Sequence, residues 1–134
     1  MAEDCTALVG RLFDALNGRD PAAIAEICDE GVEFFSRADG AFGRSAPYSG
    51  PGGLRDYVAD VARSWEEVLM TPCEVERRRE VVLVRGRVYV RSHELGIRDV
   101  PVAWLWKLRE GRFLRGEVFP DPREAEARFA AAPV

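Results

Sequence analysis

The chain has 134 residues, 47% of them hydrophobic and 31% charged, the size and composition of one soluble globular domain spanning 1–134. No apolar run approaches the roughly 20 residues of a membrane-spanning helix, and the acidic start MAEDCTALVG lacks the layout of a signal peptide. A cytoplasmic protein without membrane contact is expected. A net charge of −4 offers no general attraction for nucleic acid.

In chain order, Leu8, Val9, Leu12, Phe13 and Leu16 form one helical stripe over residues 5–17. Asn17-Gly18 reads as a left-handed helix stop. Asp20-Pro21 restarts a helix, with aspartate as N-cap and proline in the first turn. That short helix carries Ile24, Ile27 and Cys28 inward and is expected to end at Gly31. Residues 32–36 (VEFFS) read as a strand. The glycine- and proline-rich stretch 38–53 is the one long loop, of the kind that often serves as a lid or a binding element. Its glycines follow no Walker or dinucleotide spacing, so no cofactor is expected.

A third helix is predicted from about Leu54 through Tyr57, Val58, Val61, Trp65, Val68 and Leu69, closed by Thr71-Pro72. The remainder reads as strands near 73–84, 87–95, 100–109 and 112–119. The connections between them are Arg85-Gly86, Gly96 to Asp99, and Glu110-Gly111. The tail PREAEARFAAAPV supplies a last helical turn. Helices, a strand, a helix and then a meander describe an α+β domain whose helices cover one face of a curved antiparallel sheet.

Three cysteines, Cys5, Cys28 and Cys73, are widely spaced and accompany a single histidine, so neither a metal site nor a disulfide framework is expected. Arg77-Arg78-Arg79, bracketed by Glu76 and Glu80, reads as a solvated, salt-bridged strand face rather than a phosphate site. Trp104 and Trp106 stand two apart in a strand, so both indoles share one face. They suggest either the wall of an apolar pocket or the filling of a core. Further along, strand alternation turns Val88, Val90, Ser92 and Glu94 inward if Tyr89, Arg91 and His93 face outward; a one-residue shift exchanges the two sets. An inward Glu94 would have a raised pKa and acid–base capacity, and His93 is the only side chain that titrates near neutrality unperturbed.

The segments LFDALNGRDPAAIAEICDEGVEFF, GGLRDYVADV and VAWLWKLREGRFLRGEVFPDPREA, taken together, resemble the nuclear-transport-factor-2-like superfamily, in particular its SnoaL-like branch. The resemblance implies a cone, a bent and mostly antiparallel sheet wrapped around helices with an apolar cavity, and members that often pair through the outer sheet face. A homodimer is the resulting expectation. Fold alone does not select a function among the isomerases, cyclases, hydrolases and binding domains of such a superfamily.

Matched residue by residue, the isomerase base falls on Ser36, or on Phe35 if the register slips by one, its oxyanion tyrosine on Leu12 and its protonated aspartate on Trp104. The last-strand aspartate of the cyclases falls on Val118. The usual carboxylates are therefore missing. Asp121 matches a common aspartate whose expected role is capping the tail helix. The implied pocket lining is Leu12, Leu16, Ser36, Tyr48, Tyr57, Trp65, Trp104, Trp106 and Val118. Three readings follow: a domain binding a small hydrophobic molecule, an enzyme using a private set such as Glu94, His93, Ser36 or Tyr48, or an interaction module with a filled core.

Overall fold

The computed structural model describes residues 5–36, 47–63 and 65–132. Helix α1 (Cys5–Asn17) buries Leu8, Val9, Leu12, Phe13 and Leu16 along the stripe that the spacing predicts. Its end differs in detail. The left-handed residue is Arg19, at φ +50°, and not Gly18. Arg19 N–H donates to the Leu16 carbonyl and Asp20 N–H to that of Ala15, the paired bonds of a Schellman motif. Asn17 does other work. Its side-chain amide donates to the Met70 carbonyl at 2.8 Å and accepts from the Met70 N–H at 2.9 Å. It thereby satisfies two backbone groups on a strand that has no further strand beside it among the described residues.

Helix α2 (Pro21–Ile27) starts as expected, with the Asp20 carboxylate accepting from the N–H groups of Ala22 and Ala23. It ends at Ile27 rather than Gly31, and Cys28 opens strand β1 (Cys28–Ser36). Cys28 is buried there, as its apolar character implied, but on a strand. After β2 (Tyr48–Ser49), helix α3 (Gly50–Ala62) begins earlier and ends seven residues sooner than the helical spacing predicts. The segment holding Val68 and Leu69 belongs to β3 (Glu67–Arg78) instead. Alternation in an edge strand and helical periodicity coincide over so short an apolar run, and pairing with the next strand decides between them. Pro72 is tolerated because the β3 register shifts between Pro72 and Glu74, a bulge in an edge strand where no ladder donor is required.

Three strands complete the sheet: β4 (Val81–Ser92), β5 (Gly96–Arg109) and β6 (Arg112–Phe119). The turn expected at Arg85-Gly86 lies instead at Arg79-Glu80, and Gly86 is in the middle of β4. Glu110-Gly111 is the predicted hairpin turn, both residues having positive φ as a type I′ turn demands. Helix α4 (Pro122–Ala130) is longer than one turn and is N-capped by Asp121, whose side chain accepts from the Arg123 N–H.

The strand order is β2-β1-β6-β5-β4-β3. All neighbours are antiparallel except β1 and β6, which run parallel, so the sheet is mixed. Helices α1, α2 and α3 pack on one face around the main core, while α4 covers Leu83, Ala103 and Phe119 on the other through Ala125 and Phe129. No helix is long and apolar enough to cross a membrane among the described residues.

Candidate functional site

The inner face of the sheet is built in cross-strand rows. One row runs Ser36, Val118, Trp104, Val84 and Val75; the next runs Phe34, Gly116, Trp106 and Val82. Both indoles thus share a face and are fully buried, Trp104 at 0% and Trp106 at 1% exposure. They are set in an aromatic cluster. Trp104 meets Phe13 edge-on at 4.7 Å, and Trp106 lies 5.5 Å from Phe34 and 5.4 Å from Phe113. Phe34 in turn touches Tyr57, and Tyr57 touches Tyr48. Contacts of this type each contribute about 0.5–1.5 kcal/mol beyond area burial.

Two glycines make room for the indoles. Gly116 stands directly opposite Trp106, and a β-carbon there would lie 2.7 Å from Cη2 of that indole. Gly86 has Trp104 Cζ3 3.0 Å from the position of its absent β-carbon. Along the inner face of β5, exposure rises from 0% at Trp104 to 7% at Val102 and 45% at Val100. The concave face is closed around the tryptophans and open toward the β4–β5 hairpin.

Polar groups inside this cluster are few and all neutral. The indole N–H groups of Trp104 and Trp106 are buried without a hydrogen-bond acceptor, which ordinarily costs about 1–3 kcal/mol apiece. The Tyr57 hydroxyl lies near enough to Trp104 to feel its N–H, but the pair does not close a hydrogen bond. Burial raises the Tyr57 phenol well above its ordinary range, and the Trp104 N–H only partly offsets this. Tyr48 donates its hydroxyl to Asp60 Oδ2 at 2.7 Å, and Asp60 also meets Arg63 at 3.2 Å. Asp60 was not singled out from the sequence, although it follows Tyr57 by one helical turn.

Of the predicted lining, Leu12, Leu16, Tyr48, Tyr57, Trp104, Trp106 and Val118 belong to the main buried cluster. Ser36 is half-buried at the end of the Trp104 row. Trp65 is half-buried in the link between α3 and β3 and lies outside that cluster, because α3 stops at Ala62. His93 and Glu94 are exposed turn residues. The strand ends at Ser92, whose side-chain oxygen accepts from the Glu94 N–H, and the His93 N–H is taken by Glu66. Strand register therefore cannot bring either side chain inward. Residues 38–46 of the predicted loop lie outside the described residues.

Glu117 is the one charged residue among the described buried set. It faces outward beneath α4, 3.5 Å from Arg128. No group of three or more potential metal ligands occurs among the described residues.

Cys28 gives the site's surroundings a pH signature. Burial, against a smaller opposing effect of Arg112, pushes its thiol from about 9 up to about 12. Because the folded pKa lies above the unfolded one, the native state holds the extra proton between those values, and stability falls as pH rises through that window. Buried Tyr57 acts in the same direction. Urea midpoints measured from pH 8 to 11 should decline, and less steeply in Cys28→Ala. An identical slope in the variant would refute the assignment to Cys28.

A bent six-stranded mixed sheet, not closed into a barrel and wrapped over helices on its concave face, defines the nuclear-transport-factor-2-like cone. Within it, residues 9–116 match the SnoaL-like domain family, and the chain belongs to that family. No curated protein sequence matches it. Among solved structures it is similar to TerC co-crystallised with polyporic acid, at 19% identity and a TM-score of 0.74, over 94% of this chain and 98% of the other. An NTF2-like protein of unknown function from Burkholderia pseudomallei is 18% identical, with a TM-score of 0.73 over 95% and 97% of the two chains. IdmH, a candidate polyketide cyclase of Streptomyces antibioticus, is 12% identical, with a TM-score of 0.72 over 96% and 100%. Identities this low establish the fold they share.

Proposed function

We propose that the concave face is a pocket for a small, flat, hydrophobic molecule that offers at least one oxygen acceptor. The observation that carries this reading is the pair of fully buried indole N–H groups without acceptors. An apolar wall with a few convergent donors is the usual composition of a small-molecule site. A carbonyl or phenolic oxygen reaching Trp104 or Trp106 would supply the acceptor that these buried N–H groups lack. The rising exposure from Trp104 to Val100 supplies a direction of entry. The similarity to a fold relative co-crystallised with polyporic acid is consistent with this ligand class.

Tryptophan fluorescence titrated with flat hydroxyquinones and aryl ketones tests the reading. Saturable quenching is expected, with affinity about tenfold weaker in Trp104→Phe, which keeps the ring and loses the donor. Hydrocarbons of the same shape should bind less tightly than the oxygenated ligands. Equal affinity of oxygenated and plain rings would overturn the donor role. A second reading, catalysis on the bound ligand, is favoured by the Tyr48–Asp60 bond. A phenol held by a carboxylate can relay a proton. Ligands that bind should then be converted by the native protein and recovered unchanged from Asp60→Asn; recovery unchanged from both would leave binding alone as the function.

The same family habit leads us to propose a homodimer through the outer sheet face beyond α4. Leu69 and Ile97, 47% and 63% exposed, lie there beside Tyr89, Arg91 and Asp99. Light scattering should give twice the chain mass, reduced to the single mass in Ile97→Asp. A monomeric native protein at tens of micromolar would reject the dimer.

A further inference from the structure

At the end of β5 away from Val100, a second concavity of about 540 Å³ is lined by Arg77, Arg78, Arg79, Glu80, Val81 and Lys107. We propose that this cleft binds a small organic diphosphate. Four cations against one carboxylate leave a local excess of three positive charges on a chain whose net charge is −4. The salt-bridged strand face that the sequence implied is not formed there. Glu76 is taken by Arg85 at 2.7 Å, and Arg85 also holds Glu126. Arg79 and Lys107 form no ion pair among the described residues.

The other two arginines are fixed in place by carbonyl groups rather than carboxylates. Arg77 Nε donates to the Arg79 carbonyl at 2.6 Å. Arg78 Nη1 donates to the carbonyls of Phe129 and Ala130, at 3.1 and 2.9 Å, at the end of α4. No carboxylate neutralises either charge, although Arg78 also answers the carbonyl dipoles at the end of α4 and lies 5.8 Å from the Phe129 ring centre. Both positions are preorganised, which lowers the ordering cost of binding. Guanidinium forks match phosphate oxygens bidentately, and Lys107, in the same cross-strand row as Val81 and Arg78, adds a point charge. A diphosphate fits better than a monophosphate because its charge at neutral pH comes closer to the local excess. The cleft is separate from the aromatic interior, so the proposal does not depend on the reading given for that site.

Calorimetric titration with inorganic pyrophosphate at low ionic strength tests it. One saturable site with a Kd below about 1 mM is expected, weakening as salt is added. Arg79→Gln combined with Lys107→Gln should weaken binding at least about tenfold. Neither side chain holds the fold together, so the thermal midpoint should stay at the native value. Arg19→Gln and Arg98→Gln, exposed arginines elsewhere, should leave binding unchanged. Pyrophosphate should also bind more tightly than orthophosphate or sulfate. Absence of saturation, equal loss in the control variants, or no preference for pyrophosphate would each overturn the proposal. Ligand quenching of the buried tryptophans should persist in the double variant, which separates this site from the interior one.

Discussion

Alanine at Gly86 is expected to destabilise the protein by about 3 kcal/mol or more, the upper end of what overpacking costs. A β-carbon at this position would fall far inside van der Waals contact of the Thr71 carbonyl oxygen and within 3.0 Å of Trp104 Cζ3. The first obstacle is backbone on an adjacent strand, held by β3–β4 pairing on either side of the Pro72–Glu74 bulge. It cannot swing away as a side chain would. Urea unfolding should show the midpoint falling with little change in slope. Gly10, in the interior of α1, has nothing within 4 Å of its absent β-carbon. Gly10→Ala should therefore stabilise by up to about 1 kcal/mol. If Gly86→Ala stays within about 0.5 kcal/mol of the native protein, the close approach of β3 to β4 at the bulge is wrong.

Alanine at Gly116 tests the seat of Trp106. Here the new methyl group would overlap Cζ3, Cε3 and Cη2 of the indole, which lies flat against β6. The obstacle is a side chain, but one packed between Phe34 and Phe113 with almost no exposure. A loss of about 2–3 kcal/mol is expected. Trp106→Phe alone also destabilises, through the cavity it leaves. The double variant should lose less than the sum of the two, since the smaller ring vacates the space the methyl needs. A coupling of at least about 1 kcal/mol is expected from a four-variant cycle. Strict additivity would mean that the indole and the glycine do not share that space.

The two glycines illustrate what could be read in advance. In one dimension Gly86 follows Arg85 between two apolar runs and has the local signature of a turn. Its actual role, admitting a neighbouring carbonyl and an indole edge, depends on β3 and β5, which are distant along the chain. Trp65 shows the same limitation. It continues the apolar spacing of α3, yet the chain leaves the helix after Ala62 to pair as β3 with β4. Strand alternation predicts opposite faces for His93 and Glu94, but the strand ends at Ser92, before either of them. Asp60 went unnoticed because nothing local distinguishes it; its significance comes from Tyr48, twelve residues earlier, arriving within hydrogen-bond distance.

Local chain chemistry accounts for the α+β class, the inward stripe of α1, the Asp20 and Asp121 caps, the Glu110-Gly111 turn and the shared face of Trp104 and Trp106. Each depends on periodicity or on backbone preferences reaching only a few residues. Tertiary structure alone decided the parallel β1–β6 pair, the strand identity of 67–72, the seating of each indole over a glycine, and the buried N–H groups without acceptors. These arise where distant segments compete for the same space, and strand pairing and side-chain volume settle that competition after local preferences have been expressed.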